Sequence, residues 1–139
     1  MPLTTDSEIA ALLRETRSIA LVGASNRADR PSYGVMAFLL GRGYHVTPVN
    51  PALAGEMIHD QRVVASLADI VPAPDMVDIF RNSEAAAAVV DEAIAAGAGS
   101  IWMQLGVINT AAATRAEAAG LRVVMDRCPK IEIGRLALD

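Results

Sequence analysis

Short apolar runs alternate along this chain with longer segments in which apolar residues recur at helical spacing. A short apolar run is typical of a buried strand, whereas apolar residues every three or four positions are typical of one face of a helix. The pattern predicts strands over 19–22, 44–49, 76–80, 100–103 and 121–125. It predicts helices over about 6–15, from Ser32 to about 41, over 83–96 and over about 109–119. The irregular segment between 52 and 74 favours only a short strand or turn near 57–58 and a short helix around 66–70.

Apolar strands that alternate with helices imply a parallel sheet covered by helices on both faces. Because crossover connections are right-handed, the prediction is a doubly wound, Rossmann-like α/β fold. Counting the predicted strands along the chain, we expect an order of about 3-2-1-4-5. The chain has 139 residues and shows no internal repeat or linker, so we expect one domain spanning 1–139.

In such a sheet, ligands bind outside the carboxyl ends of the strands, near the point where the strand order reverses. Four loops follow the carboxyl ends of predicted strands, namely 23–33, 50–53, 80–83 and 104–107. We therefore expect these four loops to meet at one edge of the sheet and to form the ligand site.

The loop after the first strand breaks at Gly23 into small and polar residues before a helix begins. A strand, a tight glycine turn and a helix N-terminus together direct backbone N–H groups at a phosphate. Gly23 suits a close backbone approach or an unusual turn. The candidate phosphate-site residues are Gly23, Ala24, Ser25, Asn26, Arg27, Arg30, Ser32 and Tyr33. The alternative interpretation is an ordinary strand-to-helix turn capped by Ser32.

Charge and composition narrow the class of ligand. The net charge of −4 argues against a general binder of nucleic acid or membrane surfaces. Positive charge is nevertheless concentrated locally, with five Arg and two acidic residues between Arg14 and His45. The single cysteine, Cys128, excludes an internal disulfide, and with His45 and His59 it forms no metal-ligand motif. The sequence shows no signal peptide and no long apolar span, so we expect a soluble cytoplasmic protein.

Several common nucleotide motifs are missing. The glycine spacing GxGxxG is not met after Gly23, and no acidic residue follows the second strand to hold the ribose of NAD. No GxxxxGK[ST] P-loop is present, and no acidic pair follows the first strand. What remains is a phosphate site with a long first loop and no acidic ribose clamp.

Six motifs then occur together in a specific order. They are Val22-Gly-Ala-Ser-Asn26, Arg30-Pro-Ser-Tyr-Gly-Val35, Gly43-Tyr-His-Val-Thr-Pro-Val-Asn-Pro51, Ser66-Leu-Ala-Asp69, Trp102-Met-Gln-Leu-Gly106 and Met125-Asp-Arg-Cys128. From about Ser18 to the C-terminus, the chain resembles the small stand-alone CoA-binding proteins. That family is similar to the CoA-binding N-terminal domain of the succinyl-CoA synthetase α subunit. The resemblance implies a Rossmann-like domain that binds the ADP part of coenzyme A or an acyl-CoA.

The resemblance also implies which segments contact the ligand. The glycine loop over 22–26, the strand-end turn at Asn50 and the segment over 102–104 match CoA-contacting segments of the synthetase relatives. With the loop after the third strand included, the further candidates are Asn50, Pro51, Phe80, Arg81, Met103 and Gln104. One departure is that Ala52 and Leu53 stand where the relatives carry a lysine. A second is that nothing here matches their domain with a phosphorylated histidine.

Two classes of function follow. The first is a CoA-binding module that acts as a carrier, sensor or regulator, with no catalytic residue and no metal. The alternative is a small enzyme that uses NAD(P) or the thiol of Cys128. The missing ribose clamp and acid–base pair count against the enzyme, and no histidine is placed by the sequence to activate Cys128. We expect Trp102 and Cys128 to be packing residues.

Overall fold

The computed structural model describes residues 1–138. The helices are α1 (Asp6–Glu15), α2 (Pro31–Gly41), α3 (Ser83–Ala96), α4 (Thr110–Ala118) and α5 (Pro129–Arg135). The strands are β1 (Ser18–Val22), β2 (His45–Val49), β3 (Met57–Ile58), β4 (Gln61–Arg62), β5 (Met76–Ile79), β6 (Ser100–Met103) and β7 (Arg122–Val124). Short 3₁₀ turns cover Pro51–Leu53 and Leu67–Asp69. Within the described residues, no helix is both long enough and apolar enough to cross a membrane.

Five parallel strands form the main sheet in the order β2-β1-β5-β6-β7. The predicted doubly wound α/β fold is confirmed, including the pairing of β1 with β2 and of β6 with β7. The placement of β5 differs in one respect, because it lies against β1, whereas the expected order put this strand beyond β2. The position beyond β2 is taken instead by Val64, which forms a single parallel bridge with Val49.

The two faces of the sheet carry separate apolar cores. One core joins α1, α2 and α5 to strand residues such as Leu21, Met76 and Trp102. The other joins α3 and α4 to the alternate strand residues, including Val77 and Met103. Because successive side chains of a strand point to opposite faces, a fully apolar strand serves both cores.

Helix ends are set by side chains that the sequence identifies. Thr5 and Glu8 form the capping box of α1, and the Asn82 side chain accepts a hydrogen bond from the N–H of Ala85 at the start of α3. Gly97 ends α3 with a φ of 83°. The sequence pattern does not predict α5, which has only seven residues and begins at Pro129.

Gly23 is required by the packing of two strand ends. Its φ is +90°, and a Cβ built on it would lie 2.3 Å from the carbonyl oxygen of Phe80. The expected close approach and unusual turn are therefore both present, and the approaching group is the backbone after β5. Gly23 is accordingly a requirement of the fold itself.

Asp78 is an unpaired carboxyl group in the middle of β5. It is 0% exposed, and neither carboxylate oxygen has a hydrogen-bond partner within residues 1–138. By the strand alternation it shares a face with Met76, and its register partners are Leu21 on β1 and Trp102 on β6. Burial raises the pKa of Asp78 well above its ordinary value.

We expect Gly23→Ala to lower the free energy of unfolding by at least about 2 kcal/mol, because the new Cβ adds a backbone clash to a strained φ. Gly43→Ala is the matched control, since Gly43 has a φ of +93° with open space around its Cβ position. The loss of unfolding free energy in this control, expected to be about 1 kcal/mol, measures the backbone strain alone. Urea unfolding measures both variants, and equal losses would contradict the close approach.

The pH dependence of stability tests Asp78. Because the folded-state pKa is raised, the folded protein keeps a proton that the unfolded chain releases above its pKa near 3.8. The free energy of unfolding therefore falls as pH rises from about 3.8 towards the pKa of Asp78 in the folded protein. We expect Asp78→Asn to gain stability relative to the native chain, on the order of 1 kcal/mol or more, between about pH 4 and pH 7. Urea unfolding measures the free energy of unfolding of both proteins across this pH range. If the two plots of this free energy against pH ran parallel, the assignment to Asp78 would be contradicted.

Candidate functional site

The loops at the carboxyl ends of the strands are held together by backbone hydrogen bonds. The N–H groups of Gly23 and Ala24 donate to the carbonyl of Val49, and the N–H of Phe80 donates to the carbonyl of Val22. The N–H of Gln104 donates to the carbonyl of Ile79 at 3.3 Å, which connects the next loop. The expected meeting of the four loops is therefore present at one edge of the sheet.

The first cavity at this edge lies between the Gly23 loop and α2, and we call it the loop pocket. It has a volume of about 510 Å³. Its lining includes Gly23, Ser25, Arg30, Ser32, Asn50 and Arg81. Within residues 1–138, the N–H groups of Ser25 and Ser32 donate no hydrogen bond. The Ser32 N–H lies in the first turn of an 11-residue helix and the Ser25 N–H in the loop before it, and together they form an environment that favours an anion.

The start of α2 lacks a side-chain cap. Arg30 is the N-cap residue and its side chain accepts no capping bond, while Pro31 has no N–H to donate. The interpretation in which Ser32 caps an ordinary turn therefore does not describe this helix, because Ser32 lies inside its first turn. Its backbone N–H is left for another acceptor.

Two cationic side chains border the loop pocket without a partner of their own. Within the described chain, Arg30 and Arg81 form neither a salt bridge nor a side-chain hydrogen bond. Arg27 also lines the pocket, but its Nε lies 3.5 Å from a carboxylate oxygen of Asp29. The positive charge available to a ligand therefore comes mainly from Arg30 and Arg81.

A second cavity, the apolar pocket, opens between α2, the end of β6 and the start of α5. It has a volume of about 740 Å³. Its lining includes Val35, Gln104, Leu105, Cys128, Lys130 and Ile131. The loop pocket and the apolar pocket share Arg30, Pro31, Phe80 and Arg81, so they lie side by side, and we call them together the groove.

A third cavity, the strand-end pocket, lies beside the end of β2 and faces α3. It has a volume of about 620 Å³. Its lining includes Asn50, Pro51, Ala52, Ser66, Ala85 and Glu92. Arg81 borders this pocket as well as the other two. One cation is thus within reach of ligand groups in all three.

The Asn50 side chain holds the site together. Its amide nitrogen donates to the carbonyl of Ala24 at 2.8 Å, and its amide oxygen accepts from the N–H of Ala52 at 2.9 Å. These bonds tie the end of β2 to the glycine loop. Asn50 lines the loop pocket and the strand-end pocket, while its amide nitrogen and oxygen are both hydrogen-bonded to the backbone.

Three of the predicted ligand residues point elsewhere. The ring of Tyr33 packs on His59 with centroids 4.1 Å apart, and Asn26 donates to Glu56 at 3.4 Å. Both contacts connect the first loop to the hairpin of β3 and β4. Met103 is 0% exposed in the core under α3 and α4, because the alternation of β6 turns it away from the site.

The structure adds Ile131, which the sequence interpretation missed, next to Lys130, a possible phosphate contact in that interpretation, and Leu105 of the predicted loop 104–107. Lys130, Ile131 and Leu105 line the apolar pocket, the first two because α5 folds against α2. The signal for α5 was Pro129, which suits the first position of a helix. Trp102 is confirmed as a core residue: it is 0% exposed, and its Nε1–H donates to the carbonyl of Arg127. Within residues 1–138, no cluster of three or more His, Cys, Asp or Glu residues could hold a metal ion.

A comparison with known families identifies the family of this chain. Residues 17–134 match the family described as the CoA binding domain. The chain belongs to that family. Membership in the CoA binding domain family confirms the resemblance found in the motifs, and it suggests that the chain binds coenzyme A.

Proteins with similar sequences or structures match nearly the whole chain. The uncharacterized protein YneT of Bacillus subtilis (strain 168) is 34% identical over 125 residues, or 90% of this chain and 91% of YneT. A hypothetical protein from Pyrococcus horikoshii OT3 is 35% identical with a TM-score of 0.90, covering 99% of this chain and 96% of its own. The protein cell-free ID.343 from Thermus thermophilus is also 35% identical with a TM-score of 0.90, covering 96% of this chain and 99% of its own.

Proposed function

We propose that this protein binds coenzyme A or an acyl-CoA through its ADP part, as a single-domain carrier, sensor or regulatory module without chemistry of its own. The observation that carries the proposal is the loop pocket. There, the free N–H groups of Ser25 and Ser32 lie beside the unpaired cations Arg30 and Arg81.

The pyrophosphate fits the loop pocket on charge. Its oxygens are anionic acceptors, and the pocket offers backbone donors, a helix N-terminus and guanidinium groups. Charge-assisted bonds of this kind are about twice as strong as bonds between neutral groups. The family membership and this donor set support the same ligand from independent observations.

The two neighbouring pockets suit the rest of the ligand. The strand-end pocket, beyond the turn at Pro51, would hold the adenosine part. The apolar pocket would hold the pantetheine arm, whose amide N–H groups need acceptors. Gln104 supplies one, because its Oε1 is buried with no hydrogen-bond partner within residues 1–138.

The alternative of a dinucleotide enzyme has less support at the end of β2. An NAD enzyme of this fold places an acidic residue there to hold the ribose. This chain has Asn50, whose amide is engaged with Ala24 and Ala52. Ligand capture from cell extract followed by mass analysis separates the alternatives: CoA in the eluate supports the binding module, and NAD(P) supports the enzyme.

We expect Arg81→Gln to weaken CoA binding roughly five- to tenfold, because it removes a cation that borders all three pockets. Isothermal calorimetry measures the affinity. Arg115→Gln is the matched control, because Arg115 on α4 is paired with Asp91 at 3.0 Å and does not border the groove. Equal affinity of both variants would contradict the assignment of Arg81.

A second experiment tests which phosphate matters. We expect dephospho-CoA to bind within about tenfold of CoA, since the turn Pro51–Leu53 presents no cation to the 3′-phosphate and exposed ion pairs contribute little. Side-by-side calorimetric titrations of the two ligands measure the difference. A hundredfold preference for CoA would show that a cation such as Arg81 reaches the ribose.

A further inference from the structure

Cys128 lies in the wall of the apolar pocket, although it is only 4% exposed. It is the only cysteine of the chain. Beyond its contact with the core under α2, the binding function proposed above gives its thiol no role. Its position in the wall of a cavity next to the candidate phosphate site distinguishes it from a cysteine sealed inside a core.

A second side chain in the same pocket indicates that a polar ligand group enters there. Gln104 is 7% exposed, lines the apolar pocket, and has an Oε1 without a partner within the described chain. A buried amide oxygen is normally hydrogen-bonded, and leaving it unpaired is energetically unfavourable. An extended arm that carries amide groups would satisfy Gln104 and pass into the part of the pocket that Cys128 lines.

The direction of the ligand follows from the groove. The loop pocket, which suits phosphates, lies next to the apolar pocket, with Arg30, Pro31, Phe80 and Arg81 lining both. In coenzyme A the pantetheine arm runs from the pyrophosphate to a terminal thiol. With the phosphates in the loop pocket, that thiol end extends into the pocket of Cys128.

We propose that Cys128 captures the CoA sulfur as a mixed disulfide, an inference that rests on the CoA binding proposed above and adds a covalent step to a module described there as having no chemistry of its own. The reactant is oxidised CoA, a symmetric disulfide. The Sγ thiolate of Cys128 attacks one sulfur of this disulfide, and a new S–S bond forms as the old one breaks. The second CoA leaves as a thiolate and takes up the proton that Cys128 lost, so the number of disulfides is unchanged.

The apolar pocket is open to solvent. Leu105 and Ile131 line it while 57% and 51% exposed, so the cavity opens at the protein surface beside Cys128. The departing half therefore leaves towards solvent while the bound half keeps its contacts with the loop pocket. A small thiol that enters from solvent reverses the reaction and restores Cys128.

Intact-mass spectrometry of the full chain tests the proposal, with oxidised CoA as the probe. The expected product is heavier by one CoA minus two hydrogens and is lost on addition of dithiothreitol. We expect oxidised glutathione at the same concentration to react at least about tenfold more slowly, because glutathione lacks the nucleotide part by which the loop pocket would hold CoA. Excess ADP should slow the reaction with oxidised CoA and leave that with glutathione unchanged.

Two variants distinguish a failure of the mixed-disulfide proposal from a failure of the proposed CoA binding. Cys128→Ser removes the adduct, and calorimetry of this variant with reduced CoA tests the binding function without the thiol. Arg81→Gln should slow the reaction with oxidised CoA and spare that with oxidised glutathione. Equal rates for the two disulfides, or no adduct in a protein that still binds reduced CoA, would overturn the mixed disulfide. Absence of reduced-CoA binding would overturn the proposed function as well.

Discussion

The close approach of Gly23 to the backbone after β5 is the contact on which the ligand groove depends. It brings the end of β1 against Phe80, while the N–H groups of Gly23 and Ala24 join the same end to Val49 of β2. Three strand ends are thereby fixed at the point where the strand order reverses. The loop pocket, the apolar pocket and the strand-end pocket all open around this junction.

Features encoded by neighbouring residues could be predicted from the sequence. Asn82 and Gly97 mark the two ends of α3, whose predicted and observed bounds agree. The strand that pairs with β5 could not be predicted in the same way. The apolar pattern of β5 by itself fits a position beside either β1 or β2. The short helix α5 was missed since seven residues carry little periodicity, and its packing on α1 and α2 stabilises it.

The same distinction, between features set by neighbouring residues and features set by distant packing, applies to the candidate site. Gly23, Ser25, Arg30 and Ser32 are close in sequence, and the structure places all four on the loop pocket. The side of the groove that holds Cys128, Lys130 and Ile131 depends on how a distant helix packs, which no local pattern reports. Met103 shows the opposite limit, because a matching motif gives a position along a strand but not the face to which the side chain turns.

The uncapped start of α2 links ligand binding to folding. The N–H of Ser32, in the first turn of α2, finds no acceptor within residues 1–138, and the anionic part of the proposed ligand would supply one. A ligand bound there, as proposed, takes the place of the missing N-cap, and mass action shifts the unfolding equilibrium with its concentration. At a free ligand concentration of a hundred times Kd, this shift amounts to about 2.7 kcal/mol. The resistance of the protein to unfolding thereby becomes a measure of how much ligand surrounds it.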